Sequence, residues 1–212
     1  MLKIKVCGLR DPQNIDDISR LQPDFVGFIF YEASPRFVGL RLNTAQLRNF
    51  DARVKKVGVF VNQSIEYIID KKDVYFLDVV QLHGDEGPEF CRDLSREVPD
   101  LPVIKAFGVG PGFDLSELSA YESYCSWFLF DTQSAGFGGS GEAFDWDILK
   151  SYQGNNPFFV SGGMGRENIR EVLGCLRGCE KFYGVDFNSK VEVRPGLKSI
   201  SLVQEVMAEV RK

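Results

Sequence analysis

Eight apolar runs recur along this chain, and this repeat constrains the fold more than any other feature. The runs are rich in Val, Ile and Phe, and they recur about every 26 residues when 212 residues are divided among eight units. They are nearly continuous rather than strictly alternating, which is typical of parallel strands covered on both faces. The predicted strands are 3–7, 25–30, 56–61, 78–82, 102–107, 127–131, 157–161 and 182–187.

Helix-like segments separate these runs. Asp11-Pro12 begins the first, Ser64 begins another, 85–88 begins a third, and Ser199 begins the C-terminal one. Alternating strands and helices indicate crossover units and a parallel sheet. Eight units with no segment left over predict an α/β fold, a single-domain (β/α)₈ TIM barrel over residues 1–212. A doubly wound open sheet is the alternative, but it would not need eight strands.

Composition excludes several classes of function. The formal net charge of −5 argues against non-specific nucleic-acid binding. No apolar run approaches the roughly 18 residues that span a bilayer, and the start lacks the layout of a signal peptide. The five cysteines form no C-x-x-C pair and His83 is the only histidine, so no metal site is expected. We therefore expect a reduced, cytoplasmic protein with neither nucleic acid nor membrane as partner.

Two titratable side chains end predicted strands. Cys7 ends the first strand and Asp131 ends the sixth, at the rim where barrels of this kind carry their chemistry. A thiol and a carboxylate across one pocket suit acid–base isomerisation, in which one group withdraws a proton and the other donates one. The alternatives are that Cys7 is a small buried hydrophobe and that Asp131 caps the next loop. A Ser–His–Asp hydrolase is harder to assemble, because no G-x-S-x-G elbow occurs.

Glycine-rich loops follow the later strands. Gly162-Gly163 follows strand 7 and leads towards a helix, and Asn188-Ser189 follows strand 8. Backbone N–H groups approach a phosphate closely only where no Cβ intervenes, and phosphate sites after strands 7 and 8 recur in this fold. We expect these two loops to bind phosphate, with Gly139 and Gly141 closing over it. The glycine run that contains them lacks the Lys-Ser/Thr of a P-loop, so nucleotide binding is not expected.

The motifs taken together resemble those of the phosphoribosylanthranilate isomerase family, in the family's order and over nearly the whole chain. They are 5–9 (KVCGL), 27–36 (GFIF through SPR), 57–62 (VGVFVN), 81–84 (QLHG), Asp131 with 138–141 (GGSG) and 144–146 (FDW), 161–163 (SGG), and 184–198 (GVD through PGLK).

The resemblance implies an enzyme of tryptophan biosynthesis that needs no cofactor. The expected reaction is the Amadori rearrangement of N-(5-phosphoribosyl)anthranilate, an aldose–ketose isomerisation. In it, Asp131 protonates the ring oxygen and Cys7 removes the C2′ proton. Arg36 is expected to pair with the anthranilate carboxylate, since a planar guanidinium suits that contact. The full set of predicted substrate-binding residues is Arg36, His83, Gly139, Gly141, Gly162, Gly163, Asp186, Asn188 and Ser189. The oligomeric state, monomer or homodimer, stays open.

Four positions depart from the family pattern. Ser161 stands where alanine usually precedes the two glycines, Phe187 replaces a valine, Asn188 replaces a serine, and Lys190 replaces a glycine beside the expected phosphate. Lys190 either adds a phosphate contact or faces solvent.

Three rival functions remain at this point. Indole-glycerol-phosphate synthase would have a longer N-terminus and a lysine acid, and a pentose-phosphate epimerase would need several metal-binding histidines. A phosphate-binding barrel without catalysis would need neither Cys7 nor Asp131.

Overall fold

In the computed structural model, the described residues 1–39, 41–132 and 144–212 form one closed barrel of eight parallel strands. The strands are β1 (Lys3–Val6), β2 (Phe25–Ile29), β3 (Lys55–Phe60), β4 (Val79–Leu82), β5 (Val103–Val109), β6 (Trp127–Thr132), β7 (Phe158–Val160) and β8 (Phe182–Phe187). Each predicted run overlaps one of them, although β3, β5 and β6 extend one or two residues beyond the predicted bounds. The predicted TIM barrel is therefore confirmed.

The barrel closes because β1 pairs with β8 as well as with β2. Lys5 lies opposite Asp186 across the β1–β8 pair and opposite Phe25 across the β1–β2 pair. This closure leaves none of the eight strands with an unpaired edge, and it brings residues from the two ends of the chain side by side.

The described α-helices are α1 (Pro12–Arg20), α2 (Thr44–Arg48), α3 (Ile65–Tyr75), α4 (Pro88–Glu97), α5 (Ile169–Cys175) and α6 (Ile200–Val210). Four of them begin where the sequence predicts them, namely α1, α3, α4 and α6, and no start was predicted for α2 and α5. Asp11, Ser64 and Ser199 accept hydrogen bonds from the first-turn backbone of α1, α3 and α6, as N-caps do. None of the described helices is long and apolar enough to cross a membrane.

Two crossovers differ from the repeating strand–helix pattern. The segments after β5 and β6 form 3₁₀ helices at Leu115–Tyr121 and Trp146–Ser151 instead of α-helices. Gly110-Pro111-Gly112 begins the first of these crossovers, and glycine and proline are the residues that least favour a regular helix.

A small antiparallel hairpin of β9 (Glu192–Arg194) and β10 (Leu197–Lys198) follows β8, and the pattern of eight runs did not predict it. Asn14 on α1 anchors this hairpin. Its side chain donates to Lys198 O at 2.9 Å and accepts from Lys198 N at 2.8 Å.

The apolar core has two main layers. The larger lies between the strands and the surrounding helices, and the smaller fills the barrel interior. Phe25, Val57, Leu129 and Phe159 belong to the interior layer. Beyond them, towards the C-terminal strand ends, Cys7 packs with Ile29 and Val59. The predicted catalytic thiol therefore lies directly above the interior core.

Candidate active site

A cavity of about 710 Å³, open to solvent, lies at the C-terminal ends of the strands. Every predicted site residue among the described residues lines it: Cys7, Arg36, His83, Asp131, Gly162, Gly163, Asp186, Asn188 and Ser189. The predicted Gly139 and Gly141 lie outside the described residues. Residues from six strand ends thus meet in one pocket.

Cys7 follows β1 directly and its side chain is buried, with 4 % of the residue exposed. Gly27 on β2 leaves room for it, since a Cβ there would lie 2.6 Å from the Cys7 Sγ. Burial raises the pKa of the thiol above its ordinary value, while the nearby Lys5 and Lys198 ammonium groups oppose the rise. The thiolate in this pocket therefore depends on buried cations.

A fully buried ion pair lies beside Cys7. Lys5 precedes it by two residues, so both side chains point into the barrel, and Lys5 Nζ lies 2.6 Å from Asp186 Oδ2. Burial raises the pKa of Asp186, and Lys5 opposes that rise. Asp186 Oδ1 is buried with no hydrogen-bond partner among the described residues. A buried acceptor without a partner, in a substrate cavity, is suited to a ligand hydroxyl or amine.

Asp131 is the last residue in a short chain of polar contacts that begins at Gln81 and passes through His83. Its Oδ1 accepts from Thr132 N at 2.9 Å, and His83 Nε2 lies 3.3 Å from its Oδ2. Gln81 Nε2 lies 3.1 Å from His83 Nδ1. If that amide donates, His83 carries its proton on Nε2, the nitrogen nearer Asp131, and this contact favours one orientation of the carboxyl group.

The loop after β7 is folded tightly around two glycines with positive φ, +84° at Gly162 and +61° at Gly163. A Cβ at Gly162 would lie 2.9 Å from Asp131 Oδ1. Asn168 fixes the loop by donating to Gly163 O at 3.0 Å and accepting from Gly165 N at 2.9 Å. The backbone N–H groups of Gly162 and Gly163 donate to no acceptor in the described part of the chain. They are thus available to an anion.

Arg36 reaches the cavity from the loop after β2, but it is already paired. Its guanidinium binds Glu192 of β9 through Nε at 3.0 and 3.1 Å and through Nη2 at 2.7 Å. Lys198 Nζ binds the same carboxylate at 2.7 Å. Gly8 (φ +78°) separates Arg36 from Asn188, because a Cβ there would lie 2.8 Å from Arg36 Cδ and 2.7 Å from Asn188 Oδ1. Only glycine fits between these two side chains.

A comparison with known proteins identifies this pocket. The family model for N-(5′-phosphoribosyl)anthranilate (PRA) isomerase matches residues 4–209. The chain belongs to the phosphoribosylanthranilate isomerase family. The isomerase of Parabacteroides distasonis is 43 % identical over 209 residues, which cover 98 % of this chain and 92 % of that protein.

Solved phosphoribosylanthranilate isomerase structures have the same fold. The Thermotoga maritima crystal structure superposes with a TM-score of 0.84 at 31 % identity, covering 100 % of this chain and 99 % of that one. A second isomerase, in complex with reduced 1-(o-carboxyphenylamino)-1-deoxyribulose 5-phosphate, has a TM-score of 0.81 at 29 % identity with the same coverage.

The protein is thus an intramolecular aldose–ketose isomerase of tryptophan biosynthesis that acts on N-(5′-phosphoribosyl)anthranilate. The resemblance inferred from the motifs is confirmed, and the synthase, the epimerase and the non-catalytic barrel are set aside. Within the described ranges, no cluster of three or more His, Cys, Asp or Glu side chains could hold a metal ion.

Sequence reasoning missed several polar side chains in or behind this isomerase pocket. Lys5, Lys198 and Glu192 lie behind the residues that line it, and they were not predicted because charged residues usually face solvent. Gln81 was quoted only as part of a motif. The signal that could have found the hairpin is Pro195-Gly196, a turn dipeptide between two short runs.

Proposed function

We propose that this isomerase performs the Amadori rearrangement with Asp131 as general acid and Cys7 as general base. The product is 1-(2-carboxyphenylamino)-1-deoxyribulose 5-phosphate. The observation that carries the proposal is the position of the two side chains: both are more than nine-tenths buried and both line one cavity at the strand ends. Of the described thiols, Cys7 alone lines it.

The reaction needs one proton donated and one withdrawn. Asp131 protonates the furanose ring oxygen, the C1′–O bond breaks, and the nitrogen lone pair forms an iminium at C1′. Cys7 then removes the C2′ proton, and the electrons of that C–H bond form the C1′–C2′ double bond of an enolamine. The enolamine tautomerises to the ketone, losing its enol proton and gaining a proton at C1′. The iminium is the electron sink, so no cofactor is required.

Gln81 and His83 support the acid step. His83 Nε2 contacts Asp131 Oδ2 at 3.3 Å, and Gln81 Nε2 contacts the other ring nitrogen at 3.1 Å. This chain holds the carboxyl group towards the cavity rather than letting it rotate. Gln81 is also buried and its Oε1 has no hydrogen-bond partner among the described residues, so the position accepts a substrate hydroxyl without competition.

The two anionic ends of the substrate are proposed to bind at separate parts of the cavity. The anthranilate carboxylate pairs with the part of the Arg36 guanidinium that Glu192 leaves open, since Arg36 Nη1 has no described acceptor. The phosphate lies against the backbone N–H groups of Gly162 and Gly163 and against Asn188 and Ser189. The two glycines support this, because their N–H groups donate to no acceptor among the described residues and no Cβ keeps an anion away from them.

A fluorescence assay tests the catalytic assignment. Phosphoribosylanthranilate is generated in situ, and its loss of fluorescence is followed as enzyme is added. Cys7→Ala and Asp131→Asn should each lower kcat by about 10² or more, the scale of a lost acid or base. Cys175→Ala, which removes a partly exposed thiol outside the cavity, is the matched control and should leave kcat unchanged. Near-normal turnover of Cys7→Ala would reject Cys7 as the base.

The phosphate end is tested separately. Gly163→Val should raise KM strongly, because the side chain fills the space needed by the phosphate and disfavours the positive φ. An unchanged KM would move the phosphate site elsewhere.

A cytoplasmic location and a monomeric or homodimeric state are also proposed. The five free cysteines support the first. Light scattering on the purified protein distinguishes the two oligomeric states.

A further inference from the structure

Glu192 is the centre of a buried charge cluster that borders the cavity. Its side chain is 4 % exposed and accepts from Arg36, from Lys198 Nζ at 2.7 Å and from Gly196 N at 3.0 Å. Hydrogen bonds from Arg36 and Lys198 lower the pKa of this carboxyl despite its burial. Glu192 is therefore an ionised carboxylate whose two oxygens are both occupied.

Lys198 has no donor left for a ligand. Its ammonium has three protons, and three acceptors surround it: Glu192 Oε1, Asn188 O at 3.0 Å and Asn188 Oδ1 at 2.8 Å. The side chain is 0 % exposed. Lys198 is consequently a structural cation that fixes the backbone and side chain of Asn188.

Three contacts form one continuous link between Arg36 and Asn188. Arg36 and Asn188 both line the cavity, and they lie on the two sides of Gly8. The link runs from Arg36 to Glu192, from Glu192 to Lys198, and from Lys198 to Asn188. The hairpin that carries Glu192 and Lys198 is itself anchored to α1 through Asn14.

We propose that Glu192 and Lys198 are positioning residues that hold the carboxylate-binding and phosphate-binding ends of the substrate site in a fixed arrangement. Neither touches the substrate. The proposal rests on the roles assigned above to Arg36 and Asn188. It follows that loss of Glu192 weakens both ends, whereas loss of Arg36 or Lys198 weakens one end each.

The experiment measures the affinity of each end alone, by calorimetric titration with anthranilate and with inorganic phosphate. Glu192→Gln should weaken binding of both probes by about tenfold, the scale of one lost charge-assisted hydrogen bond. Arg36→Met should weaken only anthranilate, and Lys198→Met should weaken only phosphate. Glu205→Gln removes an exposed carboxylate paired with Arg166, and it should change neither affinity.

Steady-state kinetics supply a readout that general destabilisation would not give. Glu192→Gln should raise KM about tenfold or more and lower kcat much less than kcat/KM at a temperature where the variant is fully folded, because Cys7 and Asp131 remain in place. Equal losses in kcat and kcat/KM would overturn the positioning role.

Two results separate failure of this inference from failure of the proposed roles. If Arg36→Met leaves anthranilate binding unchanged, the role of Arg36 is wrong, while the effect of Glu192→Gln on phosphate still tests the link. If Glu192→Gln leaves phosphate affinity unchanged, the link is rejected. Should Glu192→Gln not fold, Lys198→Met decides: unchanged phosphate affinity in that variant rejects the link, and weakened affinity supports it.

Discussion

Replacing Lys5 with methionine should raise the pKa of the Cys7 thiol and slow the reaction. Lys5 is fully buried, points into the barrel beside Cys7, and helps to offset the effect of burial on the thiol. Methionine has a similar length without the charge, so the interior stays filled. The variant therefore removes a stabilising charge from the proposed base without opening a large cavity.

The expected size of the shift follows from the surrounding charges. An opposite charge within about 4–6 Å moves a pKa by about 1–3 units. Asp186 reduces the net effect: it raises the pKa of Cys7 while ionised, and without Lys5 its own raised pKa favours the neutral form. We therefore expect the lower end of the range, about one unit. Below the pKa, this means about tenfold less thiolate.

The sign of the pH effect is fixed by the role of Cys7. A general base acts in its deprotonated form, so kcat/KM should rise with pH through the pKa of the thiol. Because burial raises that pKa, the rising limb should extend to the alkaline side of the ordinary cysteine value. Lys5→Met should move this limb further to higher pH, by about one unit.

The pH dependence of the alkylation rate measures the pKa of the Cys7 thiol in the absence of substrate. Iodoacetamide reacts with thiolates, and mass spectrometry of the Cys7 peptide separates it from the partly exposed Cys175 and Cys179. Lys3→Met is the matched control, because Lys3 also lies on β1 and pairs with Asp24 at 2.7 Å, but at the opposite end of the barrel.

The Asp186 carboxylate provides a test of the direction in which the pKa of Cys7 shifts. Asp186→Asn should lower the pKa of Cys7, and the double variant with Lys5→Met should return it towards the wild-type value. An unchanged or lower pKa in Lys5→Met would refute the argument. An equal shift in Lys3→Met would refute it too.

Three further substitutions have defined outcomes. Gly8→Ala should raise KM in the fluorescence assay, because its Cβ would displace the neighbouring Arg36. Gly112→Ala is the control: Gly112 also has a positive φ, but no atom lies within 4 Å of the position of its Cβ, so KM should be unchanged. Lys105→Met should lower the free energy of unfolding by about 3–5 kcal/mol in urea titration, because it leaves the buried Glu86 carboxylate unpaired. Lys190→Ala should raise KM only mildly, because Lys190 is exposed.

The barrel could be predicted because its strands are apolar over their whole length. Both faces of each strand are covered, one by the interior and one by the helices, so the runs stand out without any alignment. The 3₁₀ crossovers could not be predicted in the same way, since the spacing of apolar residues over so short a segment does not distinguish a 3₁₀ helix from an α-helix. The hairpin was missed because its two strands, of three and two residues, carry little apolar pattern.

The candidate site was predicted only in part. Residues that directly follow strands were predicted, whereas residues whose partners lie far away in the sequence were not. Cys7, Asp131 and the two glycines follow strands directly, so the fold places them. Lys5 has the appearance of a surface lysine until β1 pairs with β8, which brings it against Asp186, 181 residues away. Glu192 is likewise recognised as a buried carboxylate only through its contact with Arg36, 156 residues earlier in the sequence. Buried charges are recognised by their partners, and these partners are set by tertiary closure.

The balance of buried charges explains how an acidic chain holds a substrate with two anionic groups. Lys5 is neutralised by Asp186, and Lys105 by Glu86. Glu192 faces two cations, Arg36 and Lys198, so one positive charge is left over in this cluster. Lys198 uses its three donors on Glu192 and Asn188, which leaves the phosphate to backbone N–H groups. These act at hydrogen-bond range rather than through a long-range field, so phosphate affinity should respond weakly to ionic strength.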